Sequence, residues 1–312
     1  MIHQIRKVML GGTYQWFTIR GRHADLPLLL FLHGGPGSPQ AGALRKFNRE
    51  LEEHYLVVNW DQRGSGKSYN AQIPPDTMNI AQLLSDAHQL VQLLLNEHSR
   101  HKVFIVGHSM GALLGMLYVH QHPEFVQAFV GINQPVNRSE EETLSYSYCL
   151  QKARDKDLRK AILQLERIGP PNHGSYSSMD DLVIQRKWLT RFGGVTHKKN
   201  ALSINIHCLL SSHFSWKDRL NFMKGFTYTM QHMWQEFNHV NLFEAVSAVE
   251  VPLVFIKGCH DKIVHDFIDP YCRSISAPYK EIVQFDQSGH LACFEEPELF
   301  NQLMVKRVRE LA

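Results

Sequence analysis

Short runs that are apolar at nearly every position alternate with stretches whose leucines recur at helical spacing, and this alternation limits what the chain can fold into. Residues 26–32, 55–60, 103–106 and 126–132 read as strands buried on both faces, which demands cover on both sides of a sheet. Between them, residues 44–52, 80–95 and 110–120 read as helices, the second with Leu83, Leu84, Leu90 and Leu94 recurring along it. Such alternation gives a mostly parallel sheet with helices on both faces. Two β-prone runs, 5–10 and 14–19, meet at Gly11-Gly12, a hairpin signal that predicts an antiparallel entry to the sheet.

After residue 132 the alternation stops. Residues 141–153, 158–168, 179–191 and 216–234 carry helical patterns, separated by loop signals at 169–174 and at Gly193-Gly194. Strands return at 252–256 and 281–285, and a final helix starts at Pro297 with Leu299, Phe300, Leu303, Met304 and Val308 on one face. The expectation is an α/β fold: an eight-stranded, mostly parallel sheet from residues 1–133 and 245–312, with a helical cap inserted at 134–244.

Composition excludes several classes of function. With 33 Lys plus Arg against 30 Asp plus Glu, the net charge of +3 gives no electrostatic case for nucleic acid or an anionic membrane. A small neutral partner fits better, a small molecule or short peptide. Five cysteines (Cys149, Cys208, Cys259, Cys272, Cys293), with no CxxC pair, argue against a disulfide framework or zinc knuckle and predict a cytoplasmic protein. The first residues lack the apolar stretch of a signal peptide, and the densest apolar run is broken by Pro27, so no membrane span is expected. The 19 histidines include no HExxH, so neither metal nor cofactor is expected.

Chemistry is concentrated in Gly107-His108-Ser109-Met110-Gly111, a GxSxG between a predicted strand and a predicted helix. A serine at such a turn is held in a strained conformation, and the positions two residues either side must lack bulk. Serine needs a base, and the base needs an orienting carboxylate. Asp261 follows the strand at 252–256 and His290 follows the strand at 281–285, giving the chain order Ser, Asp, His. Asp266, Asp269, Asp286, His260 and His265 compete for these roles but lie deeper in the flanking loops or off the strand ends. The loop His33-Gly34-Gly35-Pro36-Gly37 ends the strand expected beside the serine strand, so the amides of Gly35 and Met110 are the predicted oxyanion donors, with Gly34 adjacent. His33 reads as a buried support of that loop.

Taken together, HGGPG at 33–37, WDQRGSGKS at 60–68, GHSMG at 107–111, GCHD at 258–261, SGH at 288–290 and EEP at 295–297 resemble the α/β-hydrolase superfamily, and within it the proline iminopeptidase-like serine peptidases. The resemblance covers both halves of the core. It implies a helical cap over the site, no cofactor, and hydrolysis of an N-terminal residue, proline-like or small and apolar, from small peptides or amides. The DQRG loop, Asp61 to Gly64, reads as a salt-bridged structural loop beside the site. An aminopeptidase of this kind holds the substrate's α-ammonium with cap carboxylates, for which Glu166, Glu236 and Glu244 are candidates. Glu140-Glu141-Glu142 reads instead as a solvated helix start. Among the cap aromatics, Trp188 and Trp234 are candidate walls of an acyl pocket. Two alternatives stand: a carboxylesterase or lactonase on short acyl esters, which needs no amine anchor, and a non-catalytic ligand receptor on the same fold.

Overall fold

The computed structural model describes residues 1–311, with the side chains of His265 and Asp266 outside the described set. Eight strands form one sheet: β1 (Ile2–Leu10), β2 (Thr13–Gly21), β3 (Leu28–Leu32), β4 (Leu56–Asp61), β5 (Val103–His108), β6 (Val126–Ile132), β7 (Leu253–Gly258) and β8 (Lys280–Phe285). Their spatial order is β1-β2-β4-β3-β5-β6-β7-β8. The hairpin β1-β2 and the β2-β4 pair are antiparallel, and every later pair is parallel. The alternation predicts a mostly parallel sheet, and this strand order is the α/β-hydrolase arrangement that the motif resemblance implies.

Alternate side chains along each central strand enter two different cores. Leu28, Leu30 and Leu32 of β3 pack on one face with Ile105 and Trp60, while Leu29 and Phe31 pack on the other with Phe104, Val106 and Ile256. That period of two is why these segments are apolar throughout. Helices α1 (Ala41–Phe47), α2 (Ile80–Glu97) and α3 (Met110–Gln121) lie between the strands. The predicted helix at 44–52 is broken: α1 stops at Phe47, and after Asn48 the chain continues as a short 3-10 turn, Arg49–Glu53. Asn48 is buried, and its side-chain amide donates to the Cys293 carbonyl and to Asn301, an arrangement that competes with helix continuation.

Between β6 and β7 the chain forms α4 (Arg138–Asp155), α5 (Arg159–Ile168), α6 (Met179–Arg191), α7 (Ala201–Leu209), α8 (Trp216–Asn238) and the short α9 (Leu242–Ala245), with no named strand. Asn137, Ser178, Asn200 and Ser215 cap α4, α6, α7 and α8 through their side chains. The helix α7, with its Asn200 cap, had no reading in the sequence. The same is true of α10 (His265–Ser274), which precedes β8; α11 (Ala292–Glu295) and α12 (Pro297–Lys306) close the chain. None of the described helices is long and apolar enough to cross a membrane.

Candidate active site

Ser109 stands alone between the end of β5 and the start of α3, with φ 55° and ψ −123°. A non-glycine residue there carries about 1–3 kcal/mol of strain, so packing must hold it. A Cβ added at Gly107 would lie 2.4 Å from the Gly111 carbonyl oxygen, and one at Gly111 would lie 2.1 Å from that of Leu32. Both glycines are therefore required by the close approach of α3 to β5 and β3. The bend aims the serine away from the sheet at the carboxyl ends of the parallel strands, where open α/β sheets bind ligands.

The loops after β7 and β8 bring Asp261 and His290 to it. His290 Nε2 is 2.8 Å from Ser109 Oγ, and His290 Nδ1 is 2.7 Å from Asp261 Oδ2. The second carboxylate oxygen of Asp261 accepts the Ile263 amide at 2.7 Å, which fixes its plane. All three side chains are buried. The competitors lie elsewhere: Asp269 pairs with Lys257, Asp286 accepts from Gln284 and Cys259, and His260 stacks on His197. Asp266 and His265 lie outside the described side chains.

Supporting residues that sequence reasoning missed hold these loops. Asn133, at the end of β6, donates to the Gly289 carbonyl at 2.8 Å and accepts the Gly258 amide at 2.9 Å, tying the His290 loop to the Asp261 loop. Glu295 accepts the Gly289 amide at 2.8 Å. His108 Nε2 donates to the His290 carbonyl at 2.7 Å while Gln40 donates to its Nδ1 at 3.0 Å. Burial pushes the His108 imidazole down to about 3, so it is neutral and fits this tautomer. Neighbouring partners such as EEP at 295–297 were visible as motif letters, but their contacts depend on loop folding.

Gly35 and Met110 both line the cavity in front of Ser109, and among the described residues neither amide donates to a protein acceptor. Gly34 lies behind them: a Cβ there would be 3.0 Å from the Ser109 Cβ. His33 supports this loop as expected, bonding the Gly34 carbonyl through Nδ1 at 2.9 Å and receiving the Gln62 amide at Nε2 at 3.2 Å. Burial pushes it down to about 4. In the neighbouring DQRG loop, Arg63 forms a fully buried two-pronged pair with Asp86, at 2.7 and 2.9 Å, and neither residue lines the cavity.

The cavity has a volume of about 640 Å³. Helix α6 contributes Met179, Leu182, Val183, Arg186, Lys187 and Thr190, one helical stripe, and α8 contributes Phe226, Met230 and Trp234. Trp234 is therefore a wall, as predicted. Trp188 is not: it is buried against Leu189 and Phe192, and its indole donates to Gln164 at 3.0 Å. The three candidate amine anchors also fall elsewhere. Glu166 is exposed and pairs with Arg154 at 3.0 Å, because it occupies the outer face of α5. Glu236 accepts the Ile80 amide at 2.9 Å, and Glu244 accepts from Asn241; both border a second cavity of about 850 Å³ that no member of the Ser109 group lines. No described residue of the active cavity's wall is acidic.

Glu141 and Glu142, read as a solvated helix start, are instead buried, because they neutralise Arg138 and Arg186 beneath the cavity. Arg138 donates to Glu141 at 2.8 Å, and both arginines donate to Glu142. Burial pushes the Glu141 carboxyl up to about 7, whereas Glu142, despite the same burial, is held below the usual carboxylate range by Arg186 and Arg138.

The model of a family described as having the alpha/beta hydrolase fold matches residues 27–297. The probable aminopeptidase YbaC of Bacillus subtilis (strain 168) is 34% identical over 309 residues, spanning 98% of this chain and 96% of the relative. Among solved structures, proline iminopeptidase of Mycobacterium smegmatis superposes with a TM-score of 0.71 at 16% identity, over 99% of this chain and 98% of that one. A proline iminopeptidase-related protein from Thermus thermophilus gives 0.66 at 16% identity, over 100% and 99%. Sheet order, the bend at Ser109 and these matches agree: the chain belongs to the α/β-hydrolase family, and is similar over almost its whole length to a relative named a probable aminopeptidase.

Proposed function

We propose that this protein is a serine hydrolase that releases an N-terminal residue, proline-like or small and apolar, from a small peptide or amide through an acyl-enzyme on Ser109. The observation that carries this reading is the line of hydrogen bonds from Ser109 through His290 to Asp261. Ser109 Oγ attacks the carbonyl carbon as its proton passes to His290 Nε2, and Asp261 steadies the imidazolium. The Gly35 and Met110 amides receive the oxyanion, the His290 proton goes to the departing amine, and water then reverses the sequence to free the acid. Helices α4 to α9 serve as the cap domain of this scheme, closing an apolar acyl pocket over the serine. The preference for an amide draws on the full-length relative named a probable aminopeptidase. Five unbridged cysteines support a reducing compartment.

A second reading, hydrolysis of short esters, is favoured by the wall itself, which holds Arg138, Arg186 and Lys187 and no described acidic residue. A cationic wall tolerates an α-amine in its neutral form only, so under the amide reading kcat/KM for free-amine substrates rises as pH passes the amine pKa of about 8. The test compares aminoacyl anilides with p-nitrophenyl esters, each with free and blocked amine, from pH 6.5 to 9. Turnover that requires the free amine supports the aminopeptidase. Equal turnover after blocking, with short esters better by kcat/KM, replaces it with the esterase.

A further inference from the structure

The inner stripe of α6 changes character along its length. Met179, Leu182 and Val183 are apolar, whereas Arg186 and Lys187, one turn further on, are cationic, and all face the cavity. Arg138, at the start of α4, adds a third cation to the same wall. The two guanidinium groups lie 5.8 and 5.5 Å from the centre of the Trp234 ring. Glu141 and Glu142 sit behind the arginines and do not line the cavity. Two carboxylates stand against three cations, so the wall keeps an excess of positive charge.

Two donors in this group are left over. Arg138 Nε and Trp234 Nε1 are buried and make no hydrogen bond to protein, although both residues border the cavity and are more than nine-tenths buried. Both belong to side chains that the cavity touches, and each gains an acceptor if a ligand draws its side chain toward the cavity. Lys187 is exposed at the rim and has no carboxylate within ion-pair distance among the described residues. An ammonium group would meet no acidic side chain on this wall, whereas an anion would meet Lys187 and two guanidinium groups whose carboxylate partners lie behind it.

We propose that Arg138, Arg186, Lys187 and Trp234 form a carboxylate subsite, so that the substrate hydrolysed at Ser109 carries a carboxylate that meets this wall of the cavity. The proposal rests on the serine-hydrolase reading but holds for an amide or an ester. The carboxylate can belong to the acyl group, as in a half-ester of a dicarboxylic acid, or to the leaving group, as in the free C-terminus of a dipeptide. Arginine guanidinium and lysine ammonium together suit such a group, the first by its paired donors and the second by its mobility at the rim.

The test reads the rate at which a fluorophosphonate labels Ser109 in the intact protein, with glutarate or the uncharged glutaramide as competitor at matched ionic strength. Glutarate is expected to protect at concentrations about tenfold lower than glutaramide, the value of one charge-assisted hydrogen bond. Lys187→Gln should weaken protection by glutarate and leave that by glutaramide unchanged; Lys187→Glu should remove the difference. Because Lys187 is exposed, neither variant threatens the fold. Two substrate pairs then locate the group: p-nitrophenyl hydrogen glutarate against p-nitrophenyl valerate for the acyl side, and Pro-Gly against Pro-Gly amide for the leaving side. Equal protection by both competitors, or Lys187 variants that match the wild type, overturns the subsite while the hydrolase reading stands. Failure of the wild type to label at Ser109 overturns the hydrolase reading itself.

Discussion

The serine end of the active cavity and its cationic wall are built in different ways. At the serine end, position is set by backbone: strand ends, a bend at φ 55°, glycines at which an added Cβ would lie 2.1 and 2.4 Å from a carbonyl oxygen, and loops tied together by Asn133. In the cationic wall, it is set by side chains projecting from α4, α6 and α8, with two of the three cations paired to glutamates buried behind them. The first construction fixes a reaction and tolerates little change. The second fixes which molecule enters, and it can be altered one side chain at a time.

The contrast predicts a graded set of outcomes. Replacement of Ser109 by alanine should lower kcat by about 10⁴-fold or more while leaving the thermal transition in place, since the nucleophile acts as part of one unit with its base. Retained turnover would remove the serine end from the account. In the cationic wall, Glu142→Ala should cost about 3–5 kcal/mol of stability in urea unfolding, because it strips Arg138 and Arg186 of a buried partner. A loss below about 1 kcal/mol, the range of exposed pairs, would mean that the arginines are solvated and the wall is not built as described.

A smaller effect concerns the His33 loop. Burial pushes this imidazole from its ordinary value of 6.5 down to about 4. Between those two pH values the unfolded chain holds a proton that the folded chain lacks. The loop's contribution is therefore complete above pH 6.5 and declines by about 1.4 kcal/mol per pH unit as pH falls toward 4. Unfolding measured at pH 7, 6 and 5 should show a slope shallower by close to one proton in His33→Asn than in the wild type. The smallest effect belongs to Glu166→Gln, which breaks an exposed pair with Arg154 and should change stability by about 1 kcal/mol or less and kcat/KM not at all. A marked rise in KM there would restore Glu166 as a substrate contact.

The same contrast separates what the amino-acid order reveals from what it conceals. Strands β3, β5, β6 and β7 are legible because burial on both faces leaves apolar runs, and Ser109, Asp261 and His290 because each stands at or shortly after the end of a strand, β5, β7 or β8. Asn48 breaks a helix through contacts to Cys293 and Asn301, some 250 residues away in sequence, which no local pattern records. Glu141 and Glu142 look solvated in a run of three acids, and only the packing of α4 against α6 and α8 buries them beside arginines. Glu236 and Glu244 fail as amine anchors for a related reason: the helical register of α8 and α9 turns them to a different cavity. The α6 stripe was visible as a helix over the right residues, but which face met the cavity was not.

The most direct measurement is the mass of the protein after reaction with a fluorophosphonate, followed by peptide mapping, in the wild type and in Ser109→Ala, His290→Ala and Asp261→Asn. The account predicts one label per chain, on Ser109, absent in Ser109→Ala and formed far more slowly in the other two variants. A label that persists in Ser109→Ala, or labelling of Ser109 at the wild-type rate without His290, would contradict it.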